Sequence, residues 1–114
     1  MPVNDDSAPL TPAVFHVLLA LADEPLHGYA IMKRVEQDSG LGMGPGTIYG
    51  SLDRLRDAGW VSESVGDGSD ARRGRSFALT DQGRESLRAE ARRLARLARL
   101  AELREVGPEP HAVG

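Results

Sequence analysis

The sequence predicts a mainly α-helical domain with one small β-hairpin, in which three short helices precede the hairpin and one long helix follows it. Apolar residues recur at helical spacing in four segments of the 114-residue chain. Glycine and proline clusters separate these segments, and two strand-like runs flank a turn-rich stretch. This order is the layout of a winged helix-turn-helix with a C-terminal helix added to it.

The composition excludes several classes of protein. No apolar run approaches the roughly 18 residues that a membrane span needs, so we expect no membrane partner. Cysteine is absent, which excludes disulfides and thiolate chemistry and is compatible with a reducing cytoplasm, where we expect the protein. The net charge of −3 does not by itself indicate a nucleic-acid binder. It does not exclude one either, because DNA binding depends on where positive charge clusters.

The first two helices are predicted from their start signals. Residues 1–10 are expected to form a flexible arm. Thr11 and Pro12 then suit the cap and the first position of a helix that is predicted to reach Asp23. Apolar side chains cover nearly its whole circumference, so we expect burial on more than one side, with a partner chain on one of them. The second helix is predicted from His27 to about Ser39.

The third helix is predicted to begin at Thr47, after a glycine-rich turn, and to end at Gly59. Two strands are then predicted at residues 60–65 and 75–79, which closes a winged-helix domain over residues 11–80. The buried stripe of the third helix is expected at spacings of four and three: Ile48, Leu52 and Leu55.

The third helix is the predicted DNA-reading helix, because a helix-turn-helix places its second helix in the major groove. Its Gly46 allows close approach, Thr47 and Tyr49 can donate to phosphates, and Arg54 can pair with phosphate or guanine. Asp53 counts against this interpretation, although it can also accept from cytosine or hold a neighbouring arginine in place. The alternative interpretation is a half-buried tyrosine beside solvated charges. Further DNA contacts are expected from other cations: Lys33, Arg72, Arg73 and Arg75.

The last helix is predicted over residues 81–106, capped by Thr80 and followed by a disordered tail over residues 107–114, and we interpret it as a dimerisation helix. From Leu94 its leucines recur every three residues, so they wrap around the helix and can meet more than one neighbour. Packing within one chain would leave too much leucine exposed. The interface residues are expected on this helix and the first: Phe15, Leu18, Leu19, Leu87, Ala91, Leu94, Leu97, Ala98, Leu100 and Ala101.

Three short motifs follow one another at specific spacings: His27-Gly28-Tyr29, Gly46-Thr47-Ile48-Tyr49 and Phe77-Ala78-Leu79-Thr80. Together they resemble the PadR family of transcriptional regulators, in its short subfamily with a single C-terminal helix. Gly50 and Phe77 depart from the proline and tyrosine that are usual in that family. The resemblance implies a homodimeric repressor that binds a palindromic operator in double-stranded DNA, and it adds Tyr29 to the expected DNA contacts.

The resemblance also implies a hydrophobic small-molecule effector at the dimer interface, although its existence stays open at this point. The pocket would be lined by residues of the first and last helices: Phe15, Leu18, Leu19, Leu94 and Leu97. No other cofactor, no metal site and no enzyme activity are expected, because His16 and His27 have no suitably spaced carboxylate partner. The alternative function is a winged-helix protein-interaction module without DNA binding, which the acidic pI and Asp53 favour.

Overall fold

A computed structural model describes residues 9–65 and 74–104 of the chain. It confirms a mainly helical architecture with a small antiparallel sheet and a long C-terminal helix. Residues 1–8 of the predicted arm, the wing tip with Arg72 and Arg73, the last two residues of the predicted C-terminal helix and the predicted tail lie outside the described residues. The elements are α1 (Pro12–Ala20), β1 (Leu26–His27), α2 (Gly28–Ser39), α3 (Pro45–Asp57), β2 (Val61–Val65), β3 (Arg75–Leu79) and α4 (Asp81–Leu103).

Helix α1 begins where predicted but ends three residues earlier. The hydroxyl of Thr11 caps it by accepting a hydrogen bond from the N–H of Val14 at 3.1 Å. At the other end, the N–H of Leu21 donates to the carbonyl of Leu18, three residues back, at 3.1 Å. This tightened last turn ends the α-helix at Ala20, because its bonds close over three residues instead of four.

Helix α3 begins two residues before its predicted start, at Pro45. Proline suits the first helical position, since its backbone angle is already helical and no hydrogen bond is lost there. Before it, Gly40 ends α2 in the left-handed conformation with a φ of 77°. Gly46 and Thr47 therefore both lie in the exposed first turn of α3.

The sheet has three strands in the order β1-β3-β2, where the sequence predicts only a hairpin. Strand β1 pairs Leu26 with Phe77, and β2 pairs Glu63 with the same residue from the other side. A strand of two residues has no alternation that a sequence pattern could reveal. The pairing of β1 with β3 joins the start of α2 directly to the wing sheet.

The core lies between the helices and the inner face of the sheet, and the predicted stripe of α3 is confirmed within it. From α4 it receives Leu87, in the helix's second turn. Its buried apolar side chains are Val17, Leu18, Ala20, Leu21, Ile31, Val35, Ile48, Leu52, Leu55, Val61, Phe77 and Leu87. Because its inner face is anchored in this core, α3 presents the opposite face to solvent.

The start of α4 is anchored to the residues that follow α3 and lead into the wing. Thr80 caps α4, as predicted, by accepting from the N–H of Gly83 at 3.0 Å, and its hydroxyl donates to the carbonyl of Gly59 at 2.6 Å. A side chain at Gly83 would lie 2.0 Å from the carbonyl oxygen of Trp60, so glycine permits this close approach. In the described ranges, none of the helices is both long and apolar enough to span a bilayer.

Candidate nucleic-acid interface

The predicted DNA-contacting residues on α2 and the start of α3 are largely solvent-exposed. Tyr29, in the first turn of α2, is 66% exposed, and the Nζ atom of Lys33 lies 5.8 Å from the centre of its ring. Gly46 and Thr47 are exposed in the first turn of α3. An added Cβ at Gly46 would meet no atom within 4 Å, so this turn is free to approach a ligand closely.

Tyr49 lies half-buried between α2 and the wing. A Cβ at Gly28 would lie 2.0 Å from the Tyr49 hydroxyl oxygen, so only glycine at that position leaves room for the ring. The ring also packs against Phe77, with ring centres 6.4 Å apart. Tyr49 therefore connects α3 to α2 and β3, and its predicted phosphate contact stays a prediction that concerns its hydroxyl group.

A cluster of charged side chains joins α3 to both wing strands. This wing–helix cluster consists of Asp53, Arg56, Glu63 and Arg75. Glu63 accepts from Nε of Arg75 at 2.6 Å and from Nη1 of Arg56 at 2.7 Å. Arg75 also donates to the carboxylate of Asp53. The predicted DNA contact Arg75 is thus engaged with two carboxylates of its own chain.

The charges in the wing–helix cluster stabilise one another. Hydrogen bonds from Arg75, and then from Arg56, lower the pKa of Glu63 from 4.5 to about 2, so it is ionised at neutral pH. Hydrogen bonds from Glu63 and then Asp53 raise the pKa of Arg75 in turn. Asp53 lies 3.6 Å from Nη1 of Arg56 and so holds a neighbouring arginine in place, one of the roles that its sequence position allows.

Glu63 is a functional candidate that sequence reasoning missed. It lies across the hairpin from Phe77, whereas Arg75 lies opposite Val65. The ion pair of Glu63 and Arg75 is therefore a diagonal one between neighbouring strands. It could have been proposed only with the strand register known.

The remaining cations on this side differ in how they are paired. Arg54 on α3 is exposed and forms no ion pair with any residue in the described ranges. Arg34 on α2 lies 3.8 Å from Glu24. Arg72 and Arg73 lie outside the described residues. Arg54, the one cation among the predicted contacts on α3, is therefore available to a phosphate or a base.

A second surface lies between α1 and the middle of α4. Of the predicted interface residues, Leu19, Leu94 and Leu97 are 36%, 38% and 41% exposed. Ala91 and Ala98 are also exposed, and Leu100 and Ala101 are half-buried. Leu18 and Leu87 are instead buried in the core of their own chain and offer little surface to a partner.

An open cavity of about 260 Å³ lies on this second surface. It contains Phe15 and Leu94 from the predicted pocket, but also a charged pair that the sequence did not indicate. Glu90, 5% exposed, accepts from Nε of Arg93 at 3.0 Å and from Nη2 at 2.5 Å, and these bonds lower its pKa. The cavity is lined by Leu10, Pro12, Phe15, His16, Glu90, Arg93 and Leu94.

In sequence, the chain is similar to a family of transcriptional regulators and to one longer protein. Residues 17–89 match the transcriptional regulator PadR-like family. Over 80 residues the chain is 49% identical to an uncharacterized 37.1 kDa protein in transposon TN4556 of Streptomyces fradiae. That match covers 70% of this chain and 22% of the other protein, so the chain spans about a fifth of this relative's length.

Solved structures share the fold. A PadR family transcription regulator from Clostridium difficile R20291 matches with a TM-score of 0.72 and 19% identity, over 82% of this chain and 97% of the other. The complex structure of hsRosR-S4 matches with 0.70 and 26%, over 82% and 78%. Bacillus subtilis PadR in complex with operator DNA matches with 0.62 and 23%, over 70% and 46%.

Proposed function

The chain belongs to the PadR-like family of transcriptional regulators, and from this premise we propose that it is a sequence-specific DNA-binding repressor. The family is one of regulators and not of enzymes, in agreement with the sequence analysis. The observation that carries the proposal is the orientation of α3. Its apolar stripe is buried in the core, so that Gly46, Thr47 and Arg54 face solvent. A fold relative, Bacillus subtilis PadR, is known in complex with operator DNA.

In this proposal, the protein acts in the cytoplasm, and the first turn of α3 enters the major groove of the operator DNA. Thr47 and the Tyr49 hydroxyl donate to phosphates, and Arg54 contacts a base edge or a phosphate. Tyr29 and Lys33 extend the contact from α2, and Arg72 and Arg73 add phosphate contacts from the wing. Contacts of this kind with DNA phosphates would make the affinity for DNA fall steeply as the salt concentration rises.

We further propose that two copies associate through the exposed face of α1 and α4. Exposed leucines on α4 support this, because Leu94 and Leu97 present apolar surface that their own chain leaves in water. A two-fold dimer presents two reading helices, so the operator would be palindromic. Its half-sites would lie about one helical turn apart, roughly 34–36 Å.

The cavity beside Phe15 and Leu94 is the site that we propose for a hydrophobic effector. It adjoins the proposed dimer face, so a bound molecule could alter the spacing of the two reading helices and release the operator. The pair of Glu90 and Arg93 would give this apolar site a polar end that orients the ligand.

The test is a selection from a randomised duplex library with the purified chain at about 100 mM salt, followed by titration of the enriched duplex. We expect a palindrome bound by two chains. Arg54→Glu should weaken binding at least about tenfold, because it replaces a phosphate or base contact with repulsion. Arg92→Glu, on the exposed opposite side of α4, is the matched charge reversal and should bind like the wild type.

Absence of any enriched sequence would contradict the proposal. It would favour the alternative of a winged-helix protein-interaction module. One observation favours that alternative: the outer side of α3 and the wing carries three carboxylates, Asp53, Asp57 and Glu63. Equal affinities of Arg54→Glu and Arg92→Glu for the enriched duplex would also count against DNA reading by α3.

A further inference from the structure

Arg75 lies at the base of the wing and contacts two aromatic rings and two carboxylates. Its guanidinium carbon lies 5.3 Å from the ring centre of Tyr49 and 5.2 Å from that of Phe77. Its N–H groups donate to Glu63 on β2 and to Asp53 on α3. The side chain is 32% exposed, so it is largely enclosed by these four partners.

This arrangement makes Arg75 a bridge between two elements that would both contact DNA. It starts on wing strand β3 and reaches Asp53 on the reading helix, while Glu63 holds it through Nε and Nη2. A guanidinium is planar and presents several donors at once, so it can bind two carboxylates and stack on a ring simultaneously. A lysine ammonium carries the same charge but cannot reproduce that geometry.

The partners of Arg75 also make it a poor phosphate contact. A phosphate would have to displace carboxylates that already pair with the guanidinium at hydrogen-bonding distance. Arg54, by contrast, forms no ion pair with the part of the chain that the structure describes. Of these two predicted DNA contacts, Arg75 is therefore occupied by carboxylates of its own chain, whereas Arg54 is available to a phosphate.

We propose that Arg75, held by Glu63, is a positioning residue that fixes the wing to the reading helix and thereby sets how well the protein distinguishes its own site from other DNA. The inference rests on the proposed DNA-binding function. A reading helix that is free to tilt against the wing loses its alignment with base edges first. Phosphate contacts tolerate such a tilt better, because charge attraction depends less on direction than base hydrogen bonds do.

The test is Arg75→Lys in the full chain, titrated against two duplexes: the duplex that wild type enriches and a scrambled duplex of the same composition. We expect the affinity for the enriched duplex to fall about tenfold, the size of one lost base contact. Affinity for the scrambled duplex and the salt dependence should stay within about twofold, because the charge is kept. Arg88→Lys, in an exposed pair on α4, is the matched control.

Glu63→Gln tests the other end of the bridge. It removes a negative charge beside the DNA face, so a purely electrostatic role would raise the affinity for both duplexes. The positioning role instead predicts weaker binding to the enriched duplex with equal or stronger binding to the scrambled one. In the double variant, the ratio of the affinities for the enriched and scrambled duplexes should be no lower than in the single variant with the lower ratio. The reason is that both changes break the same bridge.

Two results would overturn the inference. One is an equal change for both duplexes in Arg75→Lys, and the other is no change for either. If Glu63→Gln does not fold, Arg75→Lys decides alone, because lysine keeps the positive charge at a side chain that is 32% exposed. If the wild type enriches no duplex at all, the proposed function has failed, which is a different result from failure of the positioning role.

Discussion

Helices α3 and α4 both carry a stripe of apolar residues, but the chain covers the two stripes very differently. In α3, Ile48 and Leu52 are fully buried and Leu55 is 5% exposed. In α4, exposure rises along the helix, from 8% at Leu87 to 41% at Leu97. Apolar surface is stabilising only where it leaves water, at about 25 cal/mol per Å². The stripe of α3 is thus completed by its own chain, whereas that of α4 supports the proposal of a second copy.

The ion pairs of the two helices differ in the same way. On α3, Asp53 and Arg56 connect to wing residues Glu63 and Arg75 that are far away in the sequence. On α4, the ion pairs connect residues of the helix itself, such as Glu90 with Arg93. The surface of α3 is therefore held in place by tertiary structure, and the second half of α4 is left without such contacts in the described chain.

The largest expected effect is on the free energy of unfolding when one leucine of each helix is truncated. Equal losses in the two helices would contradict the comparison. Leu52→Ala should lower the free energy of unfolding by about 3 kcal/mol, because it leaves a cavity in the core. Leu97→Ala removes the same atoms from a half-exposed site and should cost less than about 1 kcal/mol. Urea unfolding, at concentrations where the chain is monomeric, measures both. Equal losses would mean that Leu97 packs within its own chain.

A second prediction sharpens the comparison from the side of α4. Leu97→Arg should weaken self-association at least about tenfold, or about 1.4 kcal/mol, because it places a charge within an apolar interface. Sedimentation equilibrium measures this loss. Arg92→Ala, on the face where the side chain is 67% exposed, serves as the control and should associate normally. Unchanged association of Leu97→Arg would remove α4 from the proposed interface.

The smallest expected effect concerns acid and the wing–helix cluster. Because the pKa of Glu63 is lowered from 4.5 to about 2, its stabilising contribution is present above pH 4.5 and is lost as the pH falls towards 2. Glu63→Gln should therefore be less stable than the wild type by about 0.5–1 kcal/mol at pH 7. That difference should shrink to zero near pH 2. Unfolding followed as a function of pH measures both quantities.

The control for the acid prediction is Glu85→Gln on α4. Glu85 is 64% exposed and pairs with Arg88 at 3.5 Å, so the variant should follow the wild-type stability at every pH. A difference between Glu63→Gln and wild type that persists unchanged at pH 2 would show that the stability comes from packing and not from the ion pairs.

Much of the fold follows from local sequence signals. Thr11 and Thr80 mark the helix starts that the structure confirms, because a hydroxyl before a helix satisfies a free backbone N–H. The stripe of Ile48, Leu52 and Leu55 shows which face of α3 is buried. Boundaries are less determined: the ends of α1 and α3 differ by two or three residues, since short-range bonds of similar energy compete there.

The candidate site is only partly predictable in the same way. Exposed residues such as Gly46 and Arg54 follow from their place on α3, roughly opposite the buried stripe. Glu63 does not, because its partner Arg75 is twelve residues away and is brought near by strand register. Glu90 has the sequence setting of a surface residue on an arginine-rich helix, yet it is buried and pairs with Arg93 at a cavity that residues of α1 also line.

The sequence by itself therefore determined the type and order of the elements, their capping residues and the inner face of α3. These depend on periodicity and on contacts over three or four residues, which any stretch of chain carries with it. Only the tertiary structure decided that Arg75 is held by Glu63 and Asp53, that Tyr49 lies against Gly28 and that Leu97 stays exposed. Those outcomes depend on which distant surfaces meet, because packing and strand register bring together groups that are far apart in the sequence.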